Sequence, residues 1–137
     1  MKKILLSLML LAIFSVALKA QTETFNAIKH TEIKKDTTVN TDTSILVFNS
    51  MGSRLKAIDL VVLKVSGTVA GTVYLQASNT GGITWDSIDS LVTTNVVTNK
   101  KHIAFTSTGY KSYRAYYITS GTQSSVLIAG YVRRPDE

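Results

Sequence analysis

The side chains able to do acid, base or ligand chemistry are few in this chain, and they are scattered. His30 and His102 are the only imidazoles, and neither has a second His or a carboxylate cluster at metal-ligand spacing. His102 alternates with Ile103 in a strand-like pattern that turns it to solvent. Asp86 and Asp89 come nearest to the paired carboxylates that flank one bond in a glycosidase. A spacing of three puts them on opposite faces of a strand, so they read as a polar edge and turn. The sequence has no Gly-x-Ser-x-Gly elbow, no His-Glu-x-x-His helix and no Gly-rich phosphate loop. The expectation is a protein that is not an enzyme, with no catalytic residue, metal ligand or cofactor.

Recognition is the other chemistry on offer. Tyr110, Tyr113, Tyr116, Tyr117 and Tyr131 crowd the C-terminal third. Over Ser112–Ser120, period-two alternation puts Tyr113 and Tyr117 on one face and Tyr116 on the other, beside Arg114. One face must pack into a core. The other presents Arg114 and Tyr116, a pairing favoured at protein interfaces and sugar-binding surfaces. The plainer role for these rings is to cover a sheet and pair across strands.

Those side chains need a β framework, and the composition supplies one. The chain after residue 21 is rich in Thr, Val, Ser, Ile and Tyr, and shows no sustained helical period. Alternation between turn signals predicts about eight short strands. They fall near Thr24–Ile33, Ser44–Asn49, Ala57–Ser66, Thr72–Ser78, Trp85–Leu91, Lys101–Thr106, Ser112–Ser120 and Ser124–Arg133, with a polar connection from Asp36 to Thr43. The run Ile58–Val65 is nearly apolar on both faces, as a central strand covered on both sides requires. Gly121-Thr122-Gln123 joins the last two strands at hairpin length. Short strands broken by Gly, Asn and Ser predict an all-β fold: a single antiparallel β-sandwich of Ig-like or jelly-roll type.

The sharpest local motif is Ser78-Asn79-Thr80-Gly81-Gly82-Ile83-Thr84-Trp85. Asn79 to Gly82 can take the left-handed conformations of a tight reversal, and the Trp85 indole can fold back as an apolar cap. Ser78, Gly82, Thr84 and Trp85 resemble the Asp-box of sialidases and other propeller proteins, with Thr80 at the aspartate position. Ser78, Gly81, Gly82, Thr84 and Trp85 are therefore expected to form a structural hairpin.

A broader resemblance runs from Ile58 to Arg133. Gly71-Thr72-Val73-Tyr74-Leu75-Gln76-Ala77-Ser78-Asn79 leads to Trp85, followed by Thr106-Ser107-Thr108-Gly109-Tyr110-Lys111-Ser112-Tyr113-Arg114. The close is Gly121-Thr122-Gln123-Ser124-Ser125, then Gly130-Tyr131-Val132. This order is similar to small β-sandwich proteins of tailed bacteriophages and prophages, and of Bacteroidota, where signal-bearing versions occur. The resemblance implies a virion-associated or surface structural module that acts as a homo-oligomer. The alternative is a secreted binding module for a polysaccharide or a cell-surface protein.

The N-terminus addresses the chain outward. Lys2 and Lys3 precede an uncharged apolar run from Ile4 to Leu18, and Ala20 then meets the polar Gln21-Thr22-Glu23-Thr24. That order predicts a signal-peptide helix over residues 1–20, cut between Ala20 and Gln21 to leave a domain over 21–137. The run is shorter than the roughly 20 residues that cross about 30 Å of hydrocarbon, so no stable membrane anchor is expected after cleavage. Without Lys2, Lys3 and Lys19, twelve of the fifteen Lys and Arg stand against nine Asp and Glu, about +3. A surplus that small does not define a nucleic-acid surface. There is no cysteine, so neither a disulfide nor an acylated N-terminal Cys is available, and an ordinary apolar core must hold the fold. The expected destinations are periplasm, cell surface, extracellular medium or virion.

Overall fold

The computed structural model describes residues 31–49, 55–106 and 109–133. The signal segment, the Ala20–Gln21 junction, His30 and most of the expected Thr24–Ile33 strand lie outside them. Eight strands follow in chain order: β1 (Glu32–Val39), β2 (Thr43–Phe48), β3 (Leu55–Gly67), β4 (Gly71–Ser78), β5 (Asp86–Thr93), β6 (Thr98–Ala104), β7 (Ser112–Thr119) and β8 (Gln123–Arg133). They form two four-stranded sheets, ordered β1-β8-β3-β6 and β2-β7-β4-β5, with every pairing antiparallel. Of the connections between them only β4–β5 is a hairpin within one sheet; the rest cross from sheet to sheet. That is the jelly-roll order, which settles the choice left open with the Ig-like sandwich.

Alternation explains the core. Ile58, Leu60 and Val62 of β3, with Leu127 and Ala129 beside them on β8, face Val73, Leu75 and Ala77 of β4 and Tyr113, Ala115 and Tyr117 of β7, all buried in one cluster. Phe48 meets Tyr131 edge-on across the sheets, with ring centroids 5.3 Å apart. The central strand β3 is covered on its other face as well. There Val61 and Leu63 join Ile128 in a second buried cluster, with Val126 packed against it. This double burial is why its sequence reads as an unbroken apolar run.

Three expectations are corrected. The first described strand is Glu32–Val39, so Asp36–Val39 belongs to a strand and not to a connection. β1 is an edge strand lying along the open seam of the sandwich, and its partly or wholly covered side chains are polar. Lys34 Nζ donates to Val47 O at 2.6 Å, pairs with Glu32 at 3.3 Å and sits 5.3 Å from the Phe48 ring centroid. Asp36 accepts from Ser44 Oγ at 2.7 Å, and Thr38 shares a 2.9 Å bond with Ser125 Oγ. Satisfied polar groups carry no hydrophobic periodicity, so the strand was invisible. β6 likewise starts early, at Thr98, because Asn99 is buried against Thr94 and Lys101 reaches across the opposite seam to Asp89 Oδ1 at 2.5 Å. Finally, Gly121-Thr122-Gln123 is no hairpin: β7 and β8 lie in different sheets, and the link bridges them.

That bridge belongs to an interlocked end. Thr68 N donates to Thr122 O at 2.9 Å and Ser120 N to Ala70 O at 3.0 Å, clasping the β3–β4 and β7–β8 loops together. Gln123 closes the clasp. Its Oε1 accepts from Ala70 N at 2.7 Å, and its Nε2 donates to Tyr117 OH and Ser125 Oγ, each at 3.0 Å. Asn40 N donates to Gln123 O, and Asp42 N to Thr119 Oγ1, which adds the β1–β2 loop. Asn95 Oδ1 accepts from Val69 N at 3.1 Å and ties in the β5–β6 loop. The approach is close enough to demand glycine. A Cβ on Gly67, at φ +72°, would lie 2.1 Å from Thr122 O, and one on Gly121 2.1 Å from Thr68 O.

Candidate functional site

At the opposite end the β4–β5 hairpin is bonded largely to itself. Ser78 Oγ accepts from Thr80 N at 3.2 Å and from Gly82 N at 2.9 Å. Thr80 Oγ1 accepts from Thr84 N at 2.9 Å, a task an aspartate oxygen at that position would perform equally well. Gly81 and Gly82 take φ of 71° and 95°, the reversal that the Gly-Gly pair anticipates. A Cβ on Gly82 would touch Trp85 at 3.3 Å, so the indole lies directly against this glycine. The five hairpin residues named from the sequence, Ser78, Gly81, Gly82, Thr84 and Trp85, thus occupy one turn that aims the indole at β7.

Strand register defines the face the indole joins. Across β2, β7, β4 and β5 the outward rows are Thr43–Ile118–Thr72–Val92, then Ile45–Tyr116–Tyr74–Ser90, then Val47–Arg114–Gln76–Ser87. Ile45, Ile118 and Val92 are exposed by 45%, 41% and 67%. Arg114 is the one charged side chain in these rows. Tyr113 and Tyr117 point the other way and are fully buried.

Arg114 is held in place from several sides. Its Nε donates to Gln76 Oε1 at 2.7 Å, and Gln76 Nε2 donates in turn to Ser87 Oγ at 3.0 Å. The guanidinium carbon lies 4.4 Å from the Trp85 ring centroid and 5.2 Å from that of Tyr116. The two terminal nitrogens have no hydrogen-bond partner among the described residues. An oriented guanidinium edge flanked by aromatic rings can take a carboxylate or another planar anion in a paired, bidentate bond. Alternation in β7 was enough to pair Arg114 with Tyr116. Trp85 and Gln76 were missed as their neighbours, because they reach the site through cross-strand register and the fold of the hairpin.

The other chemistry-bearing residues are dispersed. A bulge in β5 pairs Gln76 with Ser87 and Leu75 with Asp89, skipping Ile88. Asp86 opposite Ala77 and Asp89 opposite Leu75 therefore fall on the same, inward side of β5, which corrects the expectation of opposite faces. Asp89 is occupied. The hydrogen bond from Lys101 Nζ holds its carboxyl below the ordinary value, outweighing its desolvation. His102 is exposed, yet its Nδ1 lies 2.7 Å from Oδ1 of the buried Asp59 on the outer face of the β1-β8-β3-β6 sheet. A lone acid inside the apolar Ile58–Val65 run was the available signal, since a buried carboxylate requires a partner. Among the described residues no three His, Cys, Asp or Glu converge as a metal site. Among them, too, no helix is long and apolar enough to cross a membrane.

No family model and no curated protein matches the chain. Solved structures do. The PBSX exported protein XepA aligns at 13% identity with a TM-score of 0.58, over 77% of this chain and 38% of XepA. A Ruminococcus gnavus GH29 fucosidase in complex with fucose aligns at 9% identity and 0.50, over 74% of this chain and 20% of the enzyme. TmCBM61 in complex with β-1,4-galactotriose gives 11% identity and 0.46, over 73% of this chain and 69% of that one. The chain thus spans well under half of XepA and of the fucosidase. At identities this low, the superpositions on XepA and the fucosidase show a shared fold alone.

Proposed function

We propose that this chain is an exported, non-enzymatic structural module of phage or prophage type, virion-associated or surface-exposed, that assembles with copies of itself. The contact is made by the outer face of β2-β7-β4-β5. One observation carries this reading: that face combines Trp85, Tyr74, Tyr116, Ile45, Ile118 and Val92 with a single charged side chain, Arg114. Depletion of charge together with Trp, Tyr and Arg is the composition of a protein-contact surface. Export is supported by the Lys2-Lys3, Ile4–Leu18 and Ala20 order, and fits the description of XepA as exported.

The second reading is a secreted module for a polysaccharide. It is favoured by the grouping of Trp85, Tyr116 and Tyr74 around the polar Gln76 and Arg114, since sugar rings stack on aromatics. Sedimentation velocity on the mature chain and on Ile118→Glu separates the two. Assembly in the parent and monomer in the variant is the expected result. A parent that stays monomeric and is retained on an immobilised polysaccharide replaces the first reading with the second.

A further inference from the structure

Two opposite charges at one corner of the molecule have no ion-pair partner among the described residues. Arg114 presents its free guanidinium edge beside Trp85. Asp86, the residue after Trp85 in sequence, is exposed, and its carboxylate makes no hydrogen bond or ion pair among the described residues. The other described carboxylates are committed: Glu32 to Lys34, Asp36 to Ser44, Asp42 to Thr43, Asp59 to His102 and Asp89 to Lys101. Asp86 and Arg114 do not meet internally because the sheet separates them. Asp86 sits opposite Ala77 on the inward side of the edge strand β5, whereas Arg114 faces outward from β7.

We infer that the Asp86 carboxylate of one copy seats on the Arg114 guanidinium of a second copy. This rests on the self-assembly proposed above and extends its contact from the outer face around the edge strand β5, where Asp86 lies exposed. A two-fold axis beside the Trp85 hairpins makes the contact reciprocal, so each copy gives one carboxylate and receives one. The guanidinium is already oriented by Gln76, Trp85 and Tyr116, which lowers the ordering cost of a bidentate, charge-assisted bond. β5 is an edge strand, and such strands are the ones that need covering. The charge-poor surroundings leave Arg114 a cation without a counter-charge on its own face, and Asp86 supplies it.

A charge exchange tests the pair. Self-association is measured by sedimentation velocity over a concentration series for wild type, Asp86→Arg, Arg114→Asp and the double variant, with thermal melts to verify folding. Each single change is expected to weaken association at least about tenfold, and the double to return within about threefold of wild type. A double variant no tighter than its weaker parent overturns the pairing. So do single variants that associate like wild type. If they do so while Ile118→Glu still dissociates the assembly, the contact face stands and only the ion pair falls. A wild-type chain that remains monomeric removes both.

Discussion

The two ends of this sandwich are built on different terms. At one end four loops are bonded to each other, with Gln123 joining Ala70, Tyr117 and Ser125 and with glycines packed against neighbouring carbonyls. At the other, the Ser78–Trp85 hairpin satisfies itself through Ser78, Thr80 and Thr84, and leans on the sheet face through Trp85 and Arg114. Loops bonded to one another around the buried Thr119 and Gln123 leave little room for change, because a buried group that loses its partner keeps its desolvation cost. A self-contained turn can present a side chain without the fold depending on it. The first end is scaffold, and the second end with its adjoining face is where contact is expected.

Substitutions sharpen or break that contrast. The largest effect should come from Gly67→Ala. It places a Cβ 2.1 Å from Thr122 O at a left-handed φ of +72°, and about 4 kcal/mol of stability should disappear in chemical denaturation. Gln123→Leu should follow at about 2–3 kcal/mol, by orphaning Ala70 N and removing the donor that Tyr117 OH and Ser125 Oγ share. If either melts like wild type, the interlocked end is not what holds the sheets together.

The seam between β5 and β6 should contribute less. Lys101 and Asp89 are partly exposed, so solvent screening holds the expected loss in Lys101→Met to about 1 kcal/mol at neutral pH. The folded carboxyl titrates below its ordinary 3.8, so its stabilisation is complete above that value and is lost as the pH falls through the lowered folded value. The gap between wild type and Lys101→Met should therefore close in acid. A gap that does not narrow as the pH is taken below 3.8 would mean that the ion pair is not its source. Smallest of all should be Arg114→Lys, at under about 0.5 kcal/mol in a thermal melt, because the residue lies on an outer face. A large drop there would make the Arg114–Trp85 stack part of the scaffold and erase the distinction between the ends.

The legibility of the sequence followed the same divide. β3 and β4 announced themselves because their buried positions are apolar: Ile58, Leu60, Val62, Val73 and Leu75. The β4–β5 hairpin was readable because its bonds are local and its glycines adjacent. β1 and the start of β6 were hidden, since Lys34, Thr38, Asn99 and Lys101 replace apolar contact with hydrogen bonds along the seams. The clasp around Gln123 was out of reach because it joins Ala70 to a residue more than fifty positions away. For the candidate site, alternation alone put Arg114 and Tyr116 on one face. Gln76 and Trp85 required the cross-strand register, and the single skipped residue in β5 reversed the expected side of Asp86 relative to Asp89.

The most direct test of the division between scaffold and contact face is to follow side-chain NMR signals of the mature chain as its concentration is raised. The methyl resonances of Ile45, Ile118 and Val92 and the Trp85 indole N–H should shift and broaden together. The Gln123 side-chain amide and the methyls of Val61 and Leu63 should stay fixed. Shifts centred on Gln123, or on the face carrying Val61, would contradict the account and move the contact to the other end or the other sheet.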